Sequence, residues 1–278
     1  MYQHKQMGNG FEYIEVQNSV ASAKIALQGA HIFEYTNTQR SPLWVSKTAF
    51  FEYGKAIRGG IPLCWPRFGN RDTSMPQHGF ARTQMFELEY VEEKSKSHTE
   101  LCFVLQDNEQ TRKIWNYGFA LRVVFHIGDT LRMELQTTNS DTKDFMITQA
   151  LHSYFQVSDI KDVMIYGLEN KRYWDALEDK EYVQEGAVTF EKETDRVYMD
   201  VDDEIVFRDQ EKKSILRTKN AATAIVWNPW RDKAATMVDM EDDAYREFVC
   251  IESANAFDDY KIIKPQTKYS LYLEVIQM

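Results

Sequence analysis

Along most of the chain apolar and polar residues alternate with a period of two, the pattern of strands with one face buried. Runs of this kind cover residues 11–16, 21–27, 31–35, 86–93, 100–106, 120–127, 130–137, 145–156, 163–166, 205–209, 214–219, 222–227, 248–252 and 269–275, with turn formers such as Asn18 and Ser19 between them. Helical spacing is scarce: residues 108–115 carry the better signal, enough for two turns, and 242–247 a weaker one. Many short strands separated by turns predict an all-β fold, a large antiparallel β-sandwich with few short helices. No Pro/Gly/Ser-rich linker, low-complexity tract or internal repeat divides the chain, so one domain over residues 1–278 is expected.

Two strands break the apolar pattern with an ionisable residue. In the run 148–155, His152 shares a face with Thr148, Ala150 and Tyr154, while Ile147, Leu151 and Phe155 line the other. In 248–255, Val249 and Ile251 point one way and Cys250 and Glu252 the other. Each has a plain structural reading: a hydrogen-bonded core histidine, and a glutamate on a solvated sheet face. Facing one cleft, the two would form an acid–base pair.

Loops supply further candidates. Arg58-Gly59-Gly60-Ile61-Pro62-Leu63-Cys64-Trp65-Pro66-Arg67-Phe68-Gly69 concentrates glycine and proline in one irregular stretch. Its Trp65 and Phe68 are equally suited to walling a sugar ring or to packing on the sandwich. It is no phosphate-cradling P-loop, because G-x-x-x-x-G-K-[ST] is absent. The loop 76–82 holds Gln77, His78 and Arg82. A lone Arg58 or Arg82 is ordinarily a surface ion-pair partner, although the guanidinium fork also suits phosphate. Asp195 sits where a turn is expected, and Trp227-Asn228-Pro229-Trp230 ends a strand.

Composition narrows the function classes. The net charge of −10 carries no basic stripe, which excludes a phosphate backbone as partner, so nucleic acid is not expected. No run approaches the roughly 18 apolar residues of a membrane span, and the N-terminal residues lack a secretory pattern, so a cytoplasmic protein without membrane contact is expected. Three scattered cysteines, Cys64, Cys102 and Cys250, argue against a disulfide framework or a cysteine metal site. A histidine and a carboxylate without clustered further ligands do not make a metal centre. No nucleophile elbow of the serine-hydrolase kind is present. Asp195 with Glu252 remains open as a glycosidase pair.

Six ordered motifs, R-G-G-I-P-L-C-W-P-R-F-G (58–69), Q-H-G-F-A-R (77–82), A-L-H-S-Y-F (150–155), E-T-D-R-V-Y (193–198), W-N-P-W (227–230) and C-I-E (250–252), resemble the hexose-6-phosphate mutarotases of the aldose 1-epimerase superfamily. The resemblance implies a galactose-mutarotase-like supersandwich, interconversion of the α and β anomers of a small sugar phosphate, and no metal or organic cofactor; a monomer is expected. By matched position it implies His152 and Glu252 as catalytic residues and Arg58, Gln77, Arg82 and Asp195 as substrate-binding ones. Glu252 would take the proton from O1 and His152 would protonate the ring oxygen O5, with both arginines on the 6-phosphate. The sequence departs from the family in Ser253-Ala254 and Lys264-Pro265-Gln266, where other members often carry Pro-Gly. Two rival readings stand beside it: an epimerase of unphosphorylated aldoses and a noncatalytic carbohydrate-binding module. In the active form Glu252 is expected ionised and His152 protonated, its pKa raised by Glu252 and Asp195 against the arginines.

Overall fold

The computed structural model describes residues 1–70 and 74–278. Among them it contains 22 strands and two short α-helices. The strands form a four-stranded sheet, a two-stranded ribbon and two eight-stranded sheets. All but two of the expected strands lie within two residues of their predicted bounds. Alternation suffices for them because one face must reach the core: Leu131–Asn139 buries every second residue, and Leu121, Val123, Phe125 and Ile127 do the same on the neighbouring strand.

One hydrophobic cluster joins the inner faces of the two large sheets. It takes Leu121, Val123 and Phe125 from one sheet and Val226, Val249 and Ile251 from the other. Phe155 meets Phe207 across the interface, ring centroids 5.2 Å apart. A fully buried phenylalanine of this kind contributes roughly 1.5–3 kcal/mol. The expected helix is Glu109–Ile114, started by Asn108, whose side chain accepts from the Gln110 and Thr111 N–H groups. The second helical signal is only a 3-10 turn, Ala244–Arg246.

The cleft-bearing sheet runs, by strand, Lys180–Val183, Arg172–Asp175, Thr194–Met199, Thr223–Asn228, Phe248–Asn255, Gln149–Leu151 and Leu63–Cys64, with Tyr154–Gln156 also paired to Phe248–Asn255. Asp195 therefore lies on a strand, not at a turn: the turn signal of Thr194 and Asp195 is overridden by six paired positions with Thr223–Asn228. The run 145–156 is three short strands rather than one, broken at Thr148 and at His152-Ser153. Every residue of Phe248–Asn255 is buried, since this central strand has core on one face and cleft on the other.

The 58–69 loop is pinned to the core. Trp65 is fully buried against Phe80, Trp115 and Phe119, and its Nε1–H donates to Thr137 Oγ1 at 2.9 Å, so it packs and does not wall a ligand. A Cβ on Gly60 (φ +63°) would stand 2.3 Å from the Ile32 carbonyl, and one on Gly79 (φ +72°) 2.1 Å from the Trp65 carbonyl. Only glycine permits that approach. No helix among the described residues is long and apolar enough to cross a membrane.

Candidate active site

Register brings the two ionisable strand residues together. Leu151 pairs with Ser253 and Tyr154 with Cys250, and between them the ladder breaks. Ser153 N–H donates to the Leu151 carbonyl at 2.9 Å and His152 N–H to the Pro62 carbonyl at 3.0 Å. The break keeps the expected facing, with Leu151 and Phe155 in the main core and Thr148 and His152 on a cleft. There His152 Nε2 lies 3.4 Å from Glu252 Oε1, with side chains 10% and 2% exposed.

The cleft has a volume of about 650 Å³ and includes Arg58, Gln77, His152, Asp195 and Glu252 in its lining. Such a volume suits a small molecule. Of the six sequence candidates only Arg82 is not among the lining residues; its Nη2 donates to the Gln77 carbonyl at 2.9 Å. Arg58 is already engaged: Nε and Nη2 meet Asp239 Oδ2 at 3.2 and 3.1 Å, and Nη1 donates to the Tyr154 hydroxyl at 3.0 Å. Burial works against its charge, and Tyr154 and Asp239 more than offset that. Two of its five N–H groups remain for a ligand.

Residues that sequence reasoning missed complete the walls. Trp174 and Phe257 bring aromatic surface, and Lys233, Thr236 and Met237 a polar and thioether edge; Phe68, left open between wall and packing, and Trp227 of the W-N-P-W motif also line the cleft. Lys233 is carried by the helix Trp230–Ala234, hidden in sequence by the turn signal Asn228-Pro229. His78 also faces the cleft, in the left-handed region at φ 61°, its ring edge-on to His152 at 5.8 Å.

Burial sets the protonation of this site. Desolvation, then the charges of His78, Arg58 and Arg82, hold the His152 imidazolium well below its ordinary range. Desolvation, then the Asp195 carboxylate, pushes Glu252 well above its own. His78 is driven to about 3 by desolvation and the two arginines, and Asp195 up to about 6 by desolvation and the nearby Glu193 and Asp175. The carboxylates thus do not outweigh burial at His152, contrary to the sequence expectation. Geometry agrees: His152 Nδ1 is buried without a hydrogen-bond partner, whereas an imidazolium needs an acceptor at both nitrogens. These shifts favour the uncharged form of the pair, with the proton on Glu252, over the ion pair. Moving that proton across the 3.4 Å contact gives the ion pair.

Comparison with known proteins gives relatives of the chain as a whole. The Aldose 1-epimerase family model matches residues 12–275. A protein from Escherichia coli K12 named "Putative glucose-6-phosphate 1-epimerase" is 37% identical over 265 residues, covering 91% of this chain and 86% of its own. The crystal structure of a "putative mutarotase" from Salmonella typhimurium superposes with a TM-score of 0.93 at 33% identity, covering 99% of this chain and 93% of the other. A galactose mutarotase-like protein from Lactobacillus casei, 16% identical with a TM-score of 0.76 over 96% of this chain and 100% of its own, shares the fold.

Proposed function

The chain belongs to the aldose 1-epimerase family, and from that premise we propose that it interconverts the α and β anomers of a hexose 6-phosphate, glucose 6-phosphate foremost. The observation that carries the reading is the buried His152–Glu252 pair, 3.4 Å apart in a cleft that Arg58 and Lys233 also line.

Anomerisation needs that inventory. Ring opening removes the proton from the O1 hydroxyl, breaks the C1–O5 bond and places a proton on O5, leaving an aldehyde at C1. Rotation about C1–C2 and the reverse steps close the ring on the other face. One group must accept while another donates. Glu252 takes the O1 proton and His152 delivers its own to O5 from the ion-pair form, and closure exchanges the roles. Atoms and protons balance over the cycle, and nothing in it calls for a redox partner.

Asp195 and Gln77 hold sugar hydroxyls in this reading, Phe68 and Trp227 flank the ring, and Arg58 with Lys233 meets the phosphate. Arg82 acts one layer back, fixing Gln77 through its carbonyl. An unphosphorylated aldose is the second reading, favoured by the carboxylate of Asp239 already on Arg58. NMR exchange between the anomeric signals of glucose 6-phosphate and of glucose, with and without protein, decides both points. Exchange of the phosphate well above the buffer rate supports the proposal. Exchange of glucose alone moves the reading to free aldoses, and buffer rates for both leave a binding module.

A further inference from the structure

We propose that Tyr154, braced by Arg58 and Asp239, is the positioning residue for His152, stacking on the imidazole where a hydrogen bond would ordinarily orient it. This rests on the reading of His152 as a proton carrier in anomer exchange. A histidine that transfers protons from one ring nitrogen is usually held by a hydrogen bond at the other, which fixes tautomer and orientation. Here Nδ1 is buried with no such partner. The contact from Nε2 to Glu252, at 3.4 Å, is long for a hydrogen bond. Hydrogen bonding alone leaves the ring free to tilt about χ2.

Aromatic surface supplies the restraint. The Tyr154 ring lies flat beneath the imidazole, centroids 4.9 Å apart and planes 7° from parallel. Trp227 stands edge-on to both rings at 6.1 Å. Tyr154 is itself fixed, 2% exposed, packed on Phe248 at 5.3 Å and near-parallel to Trp44 at 5.9 Å. Its hydroxyl accepts from Arg58 Nη1 at 3.0 Å, and Asp239 holds the other side of that guanidinium at 3.1 and 3.2 Å. Asp239 is not among the cleft-lining residues. It reaches the reaction through Arg58 and Tyr154.

The test compares Tyr154→Phe, Tyr154→Leu and Asp239→Asn with wild type, using glucose as well as glucose 6-phosphate so that any phosphate duty of Arg58 drops out. Tyr154→Phe keeps the stack but cuts its link to Arg58, so it should lower kcat about threefold to tenfold, the same loss as Asp239→Asn. Tyr154→Leu should lose about 10- to 100-fold in kcat with little change in KM, the cost of a misplaced catalytic group. Its acid limb should also move up towards the ordinary histidine range as water reaches the loosened ring. Should the leucine variant not fold, Asp239→Asn carries the test, expected to lower kcat about threefold to tenfold for both sugars. In wild type the His152 Hε1 NMR signal should be shifted upfield by the tyrosine ring current, and unshifted in Tyr154→Leu. Folded Tyr154→Leu and Asp239→Asn variants with wild-type kcat on glucose, or an unshifted wild-type His152 signal, would overturn the proposal. An inactive wild type whose His152 signal is shifted overturns the function instead.

Discussion

Among the described residues two histidine–histidine–glutamate clusters have almost the same spacing. In the cleft, His152 stands 3.4 Å from Glu252 with His78 at a ring distance of 5.8 Å. On the outer strands of the other large sheet, His126 stands 3.4 Å from Glu100 with His98 at 5.4 Å. Their surroundings differ. Glu100 accepts from the Tyr90 hydroxyl at 2.8 Å and lies 3.7 Å from Lys94 Nζ, and His98 Nε2 and His126 Nδ1 are 3.2 Å apart. Side chains there are 26% and 15% exposed, against 10% and 2% for His152 and Glu252. The outer cluster is a partnered surface network, whereas the cleft cluster leaves His152 Nδ1 and Glu252 Oε2 buried without partners. A pair of residue types at the right distance is therefore not a site. Unsatisfied valence in a concavity is what makes it one.

The largest effect should separate the two clusters. Glu252→Gln and His152→Ala are expected to slow anomer exchange by on the order of 10² to 10⁴, the usual contribution of a positioned acid or base. Glu100→Gln and His126→Ala should leave it within a factor of about two, the same chemistry in a solvated network supplying no catalysis. Equal losses at both sites, measured by polarimetry on folded variants, would erase the distinction.

Cations sharpen the contrast at the next level. Lys94 is tied to Glu92 and Glu100, while Lys233 faces the cleft. A hydrogen bond to a charged group is worth about 1.5 to 3 kcal/mol. Lys233→Gln should therefore lower kcat/KM for glucose 6-phosphate by about 10 to 150-fold and leave glucose within about twofold. A loss equal for the two sugars would remove the phosphate from this edge of the cleft.

Much of this was legible in the chain and part was not, for physical reasons. Strands with one buried face announce themselves by alternation, which is why residues 119–127 and 131–139 were expected almost to the residue. Lys180–Val183 is exposed throughout and Tyr2–Gln6 nearly so; both are held by ladder pairing that leaves no pattern in composition. His152 and Glu252 stood out as ionisable residues in apolar strands. Trp174, Lys233, Met237 and Phe257 did not, because they reach the cleft through the lateral order of strands and through connections, neither of which periodicity encodes. The missing hydrogen-bond partner of His152 is likewise a fact of packing alone.

The pH profile tests the state of the pair. Burial drives His152 well down and Glu252 well up, so that their ordinary order inverts and the one-proton form should span a wide range. Activity should be flat through neutrality. It should fall on the acid side only below the ordinary histidine range, as the pair gains a second proton, and on the alkaline side only above the ordinary glutamate range, as the last proton leaves. An inflection near the unperturbed histidine value of about 6.5 would mean that the imidazole is solvated and titrates alone.

His31 supplies the third arm of the comparison: a histidine as buried as His152 but with a good hydrogen-bond partner on Nε2. It is 1% exposed, and its Nε2 lies 2.8 Å from the Gly59 carbonyl, beside the Arg58 backbone. That bond requires a proton on Nε2, which the neutral ring can supply. Desolvation accordingly drives the imidazolium down to about 4, with the Gly59 hydrogen bond opposing and the charge of Arg82 assisting. The sign follows from linkage. Between the unfolded value of about 6.5 and the folded value, the unfolded chain binds a proton that the folded chain refuses, so stability is present above pH 6.5 and is lost as pH falls towards 4. The full loss is about 3 kcal/mol, from about 2.5 units at 1.36 kcal/mol each. Urea unfolding of wild type and His31→Gln at pH 7.5 and 4.5 reads it out. The glutamine amide can still donate to Gly59, and His78 and His152 contribute the same slope to both proteins, so the difference isolates His31. The variant should lose less stability on acidification, by about 2 to 3 kcal/mol, with kcat per folded molecule at neutral pH close to wild type. Equal acid slopes would show that this histidine is protonated in the fold, and burial with one good partner would then no longer distinguish a structural histidine from a reactive one.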